Sequence, residues 1–199
     1  MSTRIVVAKI LVATAMLASS VAAEAGFYGT GFATYYGFPD AGTPYPQASA
    51  SPSTFTAGVG IETVFDVENV TTITVDFSDN SLSLLLNTTL MNPTWNNTSS
   101  NGPVFNVTAG GPLTFAGFSI DPATTMAGFT ASRVGLSANQ LTIDWAGLSY
   151  VDGTRVVVDF ASPVPEPETY ALMGLGLALV GVMSRSRRRG GRIASTSAS

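Results

Sequence analysis

Along residues 55–67 the side chains alternate. Phe55, Ala57, Val59, Ile61, Phe65 and Val67 fall on one face, and Thr56, Gly58, Gly60, Glu62, Asp66 and Glu68 on the other. Successive side chains of a strand point to opposite faces, so this period of two predicts one half-buried strand over 55–67. Asn69 interrupts it. Ile73, Val75 and Phe77 then form a second strand with Thr72, Thr74 and Asp76 facing out. Past the turn cluster Ser78-Asp79-Asn80-Ser81, Leu82, Leu84, Leu86 and Leu90 alternate with Ser83, Asn87 and Thr89, so the three segments predict a meander. After a polar, Asn-rich loop over 91–102, shorter strands are expected at 104–108 and 113–120, separated by Gly110-Gly111-Pro112. Leu141, Ile143 and Trp145 supply another. Tyr150-Val151 and Val156-Val157-Val158 flank Asp152-Gly153, which predicts a hairpin because glycine accepts positive φ. Short strands at this spacing, rich in Thr, Val and Phe and without helical periodicity between the two ends, predict an all-β fold. The expected architecture is an antiparallel β-sandwich, jelly-roll-like, over 55–162. The pattern does not order the strands.

Residues 26–54 read differently. Gly26-Phe27-Tyr28-Gly29, Tyr35-Tyr36-Gly37-Phe38 and Pro44-Tyr45-Pro46 mix aromatic rings with Gly and Pro, as an irregular arm or a first edge strand would. Exposed rings of this kind are adhesive, because they bury area at little entropic cost. The plainer expectation is that Phe27, Phe32 and Phe38 pack onto the sandwich.

Composition removes several chemistries. The 199 residues contain no Cys and no His. Disulfides, thiol nucleophiles, Ser-His-Asp relays and the usual nitrogen and sulfur zinc sites are therefore excluded. Between positions 24 and 163 only Arg133 and Arg155 are basic, against eleven Asp and Glu, so the body carries a net charge of about −9. An acidic body repels phosphate, and no nucleic-acid partner is expected. Glu62, Asp66 and Glu68 have the spacing for a carboxylate pair, and a glycosidase needs two such groups roughly 5–10 Å apart. The alternation, however, puts them on a solvated face, where nothing raises a pKa. Asp76, Asp79 and Asn80, or Asp152 beside Gly153, offer oxygen ligands but no calcium loop, and turn propensity accounts for them. The expectation is a protein without catalytic residues, metal or cofactor.

Sugar binding is the alternative. Trp95 lies among amides in Asn92-Pro93-Thr94-Trp95-Asn96-Asn97-Thr98, where an exposed indole would stack a pyranose with help from Tyr35, Tyr36 and Tyr45. A buried Trp95 capping the sandwich is the competing expectation. Asn69, Asn87, Asn96, Asn97 and Asn106 each match the N-x-Ser/Thr acceptor pattern, but a chain so rich in Asn and Thr produces such matches by composition.

The two ends carry addresses. Residues 1–25 read as a secretory signal: Arg4 and Lys9, an uncharged apolar run over 10–18 forming a signal helix, then small residues permitting cleavage after Ala23 or Ala25. At the other end, Pro163-Val164-Pro165-Glu166-Pro167-Glu168 forms an extended spacer, because Pro lacks an N–H and restricts its predecessor. After Tyr170 comes the apolar run Ala171-Leu172-Met173-Gly174-Leu175-Gly176-Leu177-Ala178-Leu179-Val180-Gly181-Val182-Met183, then the basic residues Arg185, Arg187, Arg188 and Arg189. A basic cluster against an apolar segment is the positive-inside arrangement of a transmembrane helix, with the body outside. The apolar stretch is nevertheless short of the roughly 20 residues that span a bilayer core.

Spacer, apolar run and arginines in this order, over 163–189, resemble the PEP-CTERM sorting signal of Gram-negative bacteria. That resemblance implies recognition by an exosortase-like membrane enzyme, with Val164, Pro165, Glu166 and Pro167 as the sorting motif. It also implies transient anchoring at the inner membrane and delivery to the cell surface or medium, often with exopolysaccharide and biofilm. Residues 190–199 extend past the signal as an expected disordered tail. The reading as a whole is an exported, non-enzymatic surface or matrix protein, with a carbohydrate-binding module as the alternative.

Overall fold

The computed structural model describes residues 25–163 and 173–177. Two antiparallel sheets enclose the core. The first contains, edge to edge, β3 (Thr54–Thr56), β1 (Gly31–Gly37), β7 (Gly102–Ala109), β10 (Gln140–Ile143) and β9 (Val134–Leu136). The second runs β2 (Ala48–Ser51), β4 (Ile61–Val67), β5 (Thr71–Phe77), β6 (Ser81–Thr88), β11 (Thr154–Ala161) and β8 (Gly117–Ile120). The expected meander is β4-β5-β6. Phe65, Val67, Ile73, Val75, Phe77, Leu82, Leu84 and Leu86 all point inward. Its first turn puts Glu68 and Asn69 at φ 56° and 57°, and the Val70 N–H bonds the Val67 carbonyl. Positive φ at both central residues twists the turn to match its strands.

The sheets are joined by rings. Phe32 of β1 stacks on Phe77 of β5 at 5.1 Å, Phe105 of β7 meets Phe77 edge-on at 5.3 Å, and Phe65 of β4 meets Phe105 at 6.2 Å. Phe27 contacts Phe77 and Phe160 in the same way, at 4.9 and 4.8 Å. Edge-to-face pairs add to area burial because the ring edge is positive and the face negative.

Four expectations are corrected. The segment 26–54 is not an arm. It contributes β1, β2 and β3, with β1 hydrogen-bonded on both sides, and the sandwich therefore begins at Ala25 and not at Phe55. The period is present in β1, where Phe32, Thr34 and Tyr36 are buried, but the small Ala33 and the aromatic Tyr35 between them conceal it. The single strand predicted over 55–67 is two strands in different sheets. The chain crosses at Gly58-Val59-Gly60, with Gly60 at φ 97°, so Val59 and Ile61 stand in solvent, and a register shift between Ile61 and Thr63 returns Phe65 and Val67 to the core. Tyr150-Val151 is not a hairpin arm: the turn at Gly153 forms, but β11 pairs with β6 and β8. Finally, β4, β5 and β6 are consecutive neighbours in a six-stranded sheet, a meander in place of the two Greek keys of an eight-stranded jelly roll. Tight turns make that order the shortest connection.

Phe77 is fully buried between the sheets. Its replacement by Ala is expected to lower the unfolding free energy by about 3–5 kcal/mol in a urea titration, with the m-value unchanged.

Candidate functional site

One end of the sandwich closes around a cavity. There β1 and β4 finish, the β4–β5 turn crosses, and the loop over 91–101 folds over the core. The Trp95 backbone N–H bonds the Leu148 carbonyl at 2.9 Å, and the Gly147 N–H returns to the Trp95 carbonyl at 3.0 Å. Thr94 bridges Ser149, and the Tyr150 N–H bonds the Pro93 carbonyl. These bonds insert the indole of Trp95 between two other rings. It stacks on Tyr150 at 4.6 Å and 11° and on Trp145 at 5.6 Å and 24°.

A buried relay lies beneath. The fully buried Trp145 donates its Nε1–H to Tyr36 Oη at 2.8 Å, and the Tyr36 hydroxyl donates to Asn101 Oδ1 at 2.7 Å. Asn101 Nδ2 then donates to the Asn96 carbonyl at 3.2 Å. Every member of the chain is satisfied, which is the condition for a buried polar network to stabilise. Burial pushes the Tyr36 phenol well above its usual range, although the Trp145 N–H acts the other way. Burial also raises Tyr150, against hydroxyl contacts from Thr71 and Thr88.

The cavity above, about 140 Å³, is lined by Tyr36, Phe38, Tyr45, Glu68, Trp95 and Tyr150, with Val70, Leu90 and Pro93 at its apolar side. Tyr45 is half-buried and donates its hydroxyl to Glu68 at the exposed rim, which raises the phenol to about 12. Among the residues expected to contact sugar, Trp95, Tyr36 and Tyr45 are brought to this one cavity. Tyr35 is not: alternation along β1 turns it to the other face, where its hydroxyl bonds the Ala41 carbonyl. Trp95 is 8% exposed and Tyr36 3%, so neither presents a ring face for stacking. Phe38, Glu68, Asn101 and Tyr150 were missed, because they come from four separate segments with no shared sequence pattern.

The carboxylates weighed for catalysis bond the backbone or a phenol. Glu62 departs from the solvated face expected of it: it is partly buried, accepts the N–H groups of Gly58 and Phe77 at 3.0 and 2.8 Å, fastening the crossing between sheets, and burial raises its pKa against those two bonds. Asp66 accepts the Asn69 N–H, while Glu68 holds Tyr45. Asp79 and Asp152 accept the N–H groups of Tyr28 and Thr88. Among the described residues no three acidic side chains converge as a metal site would require.

The terminal addresses fall mostly outside the described residues. This holds for 1–24, including Ala23, and for Val164, Pro165, Glu166, Pro167, Ala171, Leu172, the run 178–183, the arginine cluster and 190–199. Residues 173–177 are helical, with Met173, Leu175 and Leu177 exposed. Among the described residues no helix is long and apolar enough to cross a membrane. Ala25 is buried, and its carbonyl accepts the Ser162 hydroxyl at 2.8 Å, so the two ends of the sandwich are tied together.

Compared with known protein families, residues 163–189 match the PEP-CTERM protein-sorting motif. No curated protein and no solved structure matches the chain. The motif implies an exosortase-type processing enzyme as partner and export to the cell envelope or surface.

Tyr36→Phe leaves the Trp145 N–H and the Asn101 carbonyl oxygen buried without their partner, and is expected to cost about 1–3 kcal/mol in urea denaturation. The raised phenols also set a pH dependence. The fold favours the neutral form, so this stability is full below the unfolded value of about 10 and is lost as pH rises through the folded values. Unfolding free energy measured across alkaline pH is therefore expected to decline from about pH 10 upward, and to decline less in Tyr36→Phe.

Proposed function

We propose that the chain is a non-enzymatic structural protein of the cell surface or extracellular matrix of a Gram-negative bacterium. In this reading the C-terminal apolar segment holds it transiently at the inner membrane, and after processing it resides among exopolysaccharide. The sorting motif at 163–189 carries the proposal. Its position supports it: β11 ends at Ala161, and the proline spacer begins two residues later, so cleavage near Pro165 to Pro167 leaves every strand intact. The bond from Ser162 to the Ala25 carbonyl places the domain's two ends together, and cleavage of the leader after Ala23 would preserve it whereas cleavage after Ala25 would not. A non-enzymatic role is supported by the acids themselves, since Glu62, Asp66, Asp79 and Asp152 all accept backbone N–H groups.

Intact-mass analysis of membrane and medium fractions tests the proposal. The expected product starts at Glu24 and ends between Pro165 and Pro167 when the exosortase is present. Alanine at Pro165, Glu166 and Pro167 is expected to leave the uncleaved chain in the membrane. Normal release of that variant would overturn the sorting mechanism.

A further inference from the structure

We propose that, while the sorting signal is uncut, the end of the sandwich where the chain enters and leaves rests on a bilayer surface of zwitterionic lipid through Tyr28, Val59 and Ile61. The starting observation is where exposed apolar side chains lie. Tyr28, Val59 and Ile61 all stand in solvent, Val59 at 95% exposure. The Gly29 N–H bonds the Ala57 carbonyl at 3.0 Å, which brings the turn carrying Tyr28 against the crossing that carries Val59. Ile61 opens β4 and pairs with Asp76 near the close of β5. The Tyr28 N–H bonds Asp79, and the Phe160 N–H near the close of β11 bonds the Asn80 carbonyl. All three side chains therefore share the end at which the Ala25 carbonyl meets Ser162. One exposed apolar residue needs no explanation, but three at the point where the domain is attached form a surface.

The chain outside the domain supplies the occupant. β11 ends at Ala161, and the apolar run begins at Ala171, nine residues further on. At about 3.1 Å per residue of extended, proline-rich chain, that spacer reaches roughly 30 Å, and it keeps this end of the domain within that distance of any membrane holding the run. The proposal rests on the reading that the run 171–183 holds the chain at a membrane. Three side chains are few for a free domain, but a short tether makes the contact intramolecular, at an effective concentration on the order of millimolar. Tyrosine suits the lipid–water boundary, where the ring is buried and the hydroxyl stays wet, and Val and Ile suit the layer beneath. Charge selects the lipid. Asp76 and Asp79 are exposed beside the patch, whereas Arg133 bonds the Ala146 carbonyl and Arg155 lies at the far, opening end of β11. With acids beside it and neither of those arginines, this end is repelled by an anionic surface and tolerates a zwitterionic one. Contact lays Pro165, Glu166 and Pro167 along the surface at which a membrane enzyme cuts. Cutting removes the tether, and the same weak contact then lets the domain go.

The test is cross-linking of the full chain in phosphatidylcholine vesicles whose acyl chains carry a diazirine near the headgroup, with the adducts located by mass spectrometry. Leu90 and Met91 are the internal comparison, because they are apolar and exposed at the opposite end, Met91 at 94%. Adducts are expected on Tyr28, Val59 and Ile61 and absent from Leu90 and Met91. In a chain carrying Val59→Asp and Ile61→Asp they are expected to disappear from Tyr28. Both positions stand in solvent, so a urea titration of that variant is expected to match the parent chain. Vesicles of phosphatidylglycerol at low salt are expected to reduce the labelling. No adducts at the three residues, equal labelling of Leu90 and Met91, unchanged Tyr28 labelling in the double variant, or stronger labelling in anionic vesicles would each overturn the proposal. Flotation of the vesicles reports anchoring separately. A chain that does not float is held instead through Tyr170→Cys coupled to a maleimide lipid, a unique attachment because the sequence has no Cys, and the same labelling pattern decides. Anchoring and contact therefore fail independently of each other.

Discussion

Aromatic packing between the sheets is the interaction on which everything else rests. The chain has no Cys to staple it, and among the described residues one ion pair appears, Arg133 with Asp144 at 3.4 Å. A partly exposed pair of that kind contributes little. Cohesion falls instead to rings that run from Phe160 through Phe27, Phe77 and Phe32 to Phe105 and Phe65, and on through Tyr36 to Trp145, Trp95 and Tyr150. An exported protein gains from this, because a core of rings is indifferent to the redox state of its surroundings.

The ring series changes character along its length. At the Phe27 end it is hydrocarbon, and burial alone accounts for it. At the Tyr36 end it acquires polar atoms, and these must be paired or the end would not close. Tyr36 resolves this for Trp145 and Asn101 together, so a strand residue in the core also fixes the loop that carries Trp95. The same closure leaves Trp95 as the one buried side-chain donor without a protein acceptor among the described residues. Cavity and cap are therefore consequences of the same packing.

Legibility followed the range of the interactions. The meander β4-β5-β6 was readable because its strands are adjacent, its faces are clean and its turns carry Asn, Asp and Ser at the required positions. β1 was obscured although its period is intact, because Gly and Ala among its residues blur the contrast that periodicity relies on. The crossing at Gly58-Val59-Gly60 was invisible for a different reason: the alternation continues across it in phase, and only the register shift near Ile61 reverses which side is solvent. In the site, the loop setting of Trp95 among amides allows either an exposed stacking platform or a buried cap, and the structure takes the buried cap.

Chain sequence alone determined the all-β class, the central meander and the C-terminal sorting signal, because each of these rests on local order: alternation, turn residues, or an apolar run beside charges. Tertiary structure decided the order of strands, the extension of the domain back to Ala25 and the assembly of the cavity. Those depend on which distant segments approach one another. Glu68, Trp95 and Tyr150 share no spacing in the chain and become neighbours only when the two sheets close on their rings.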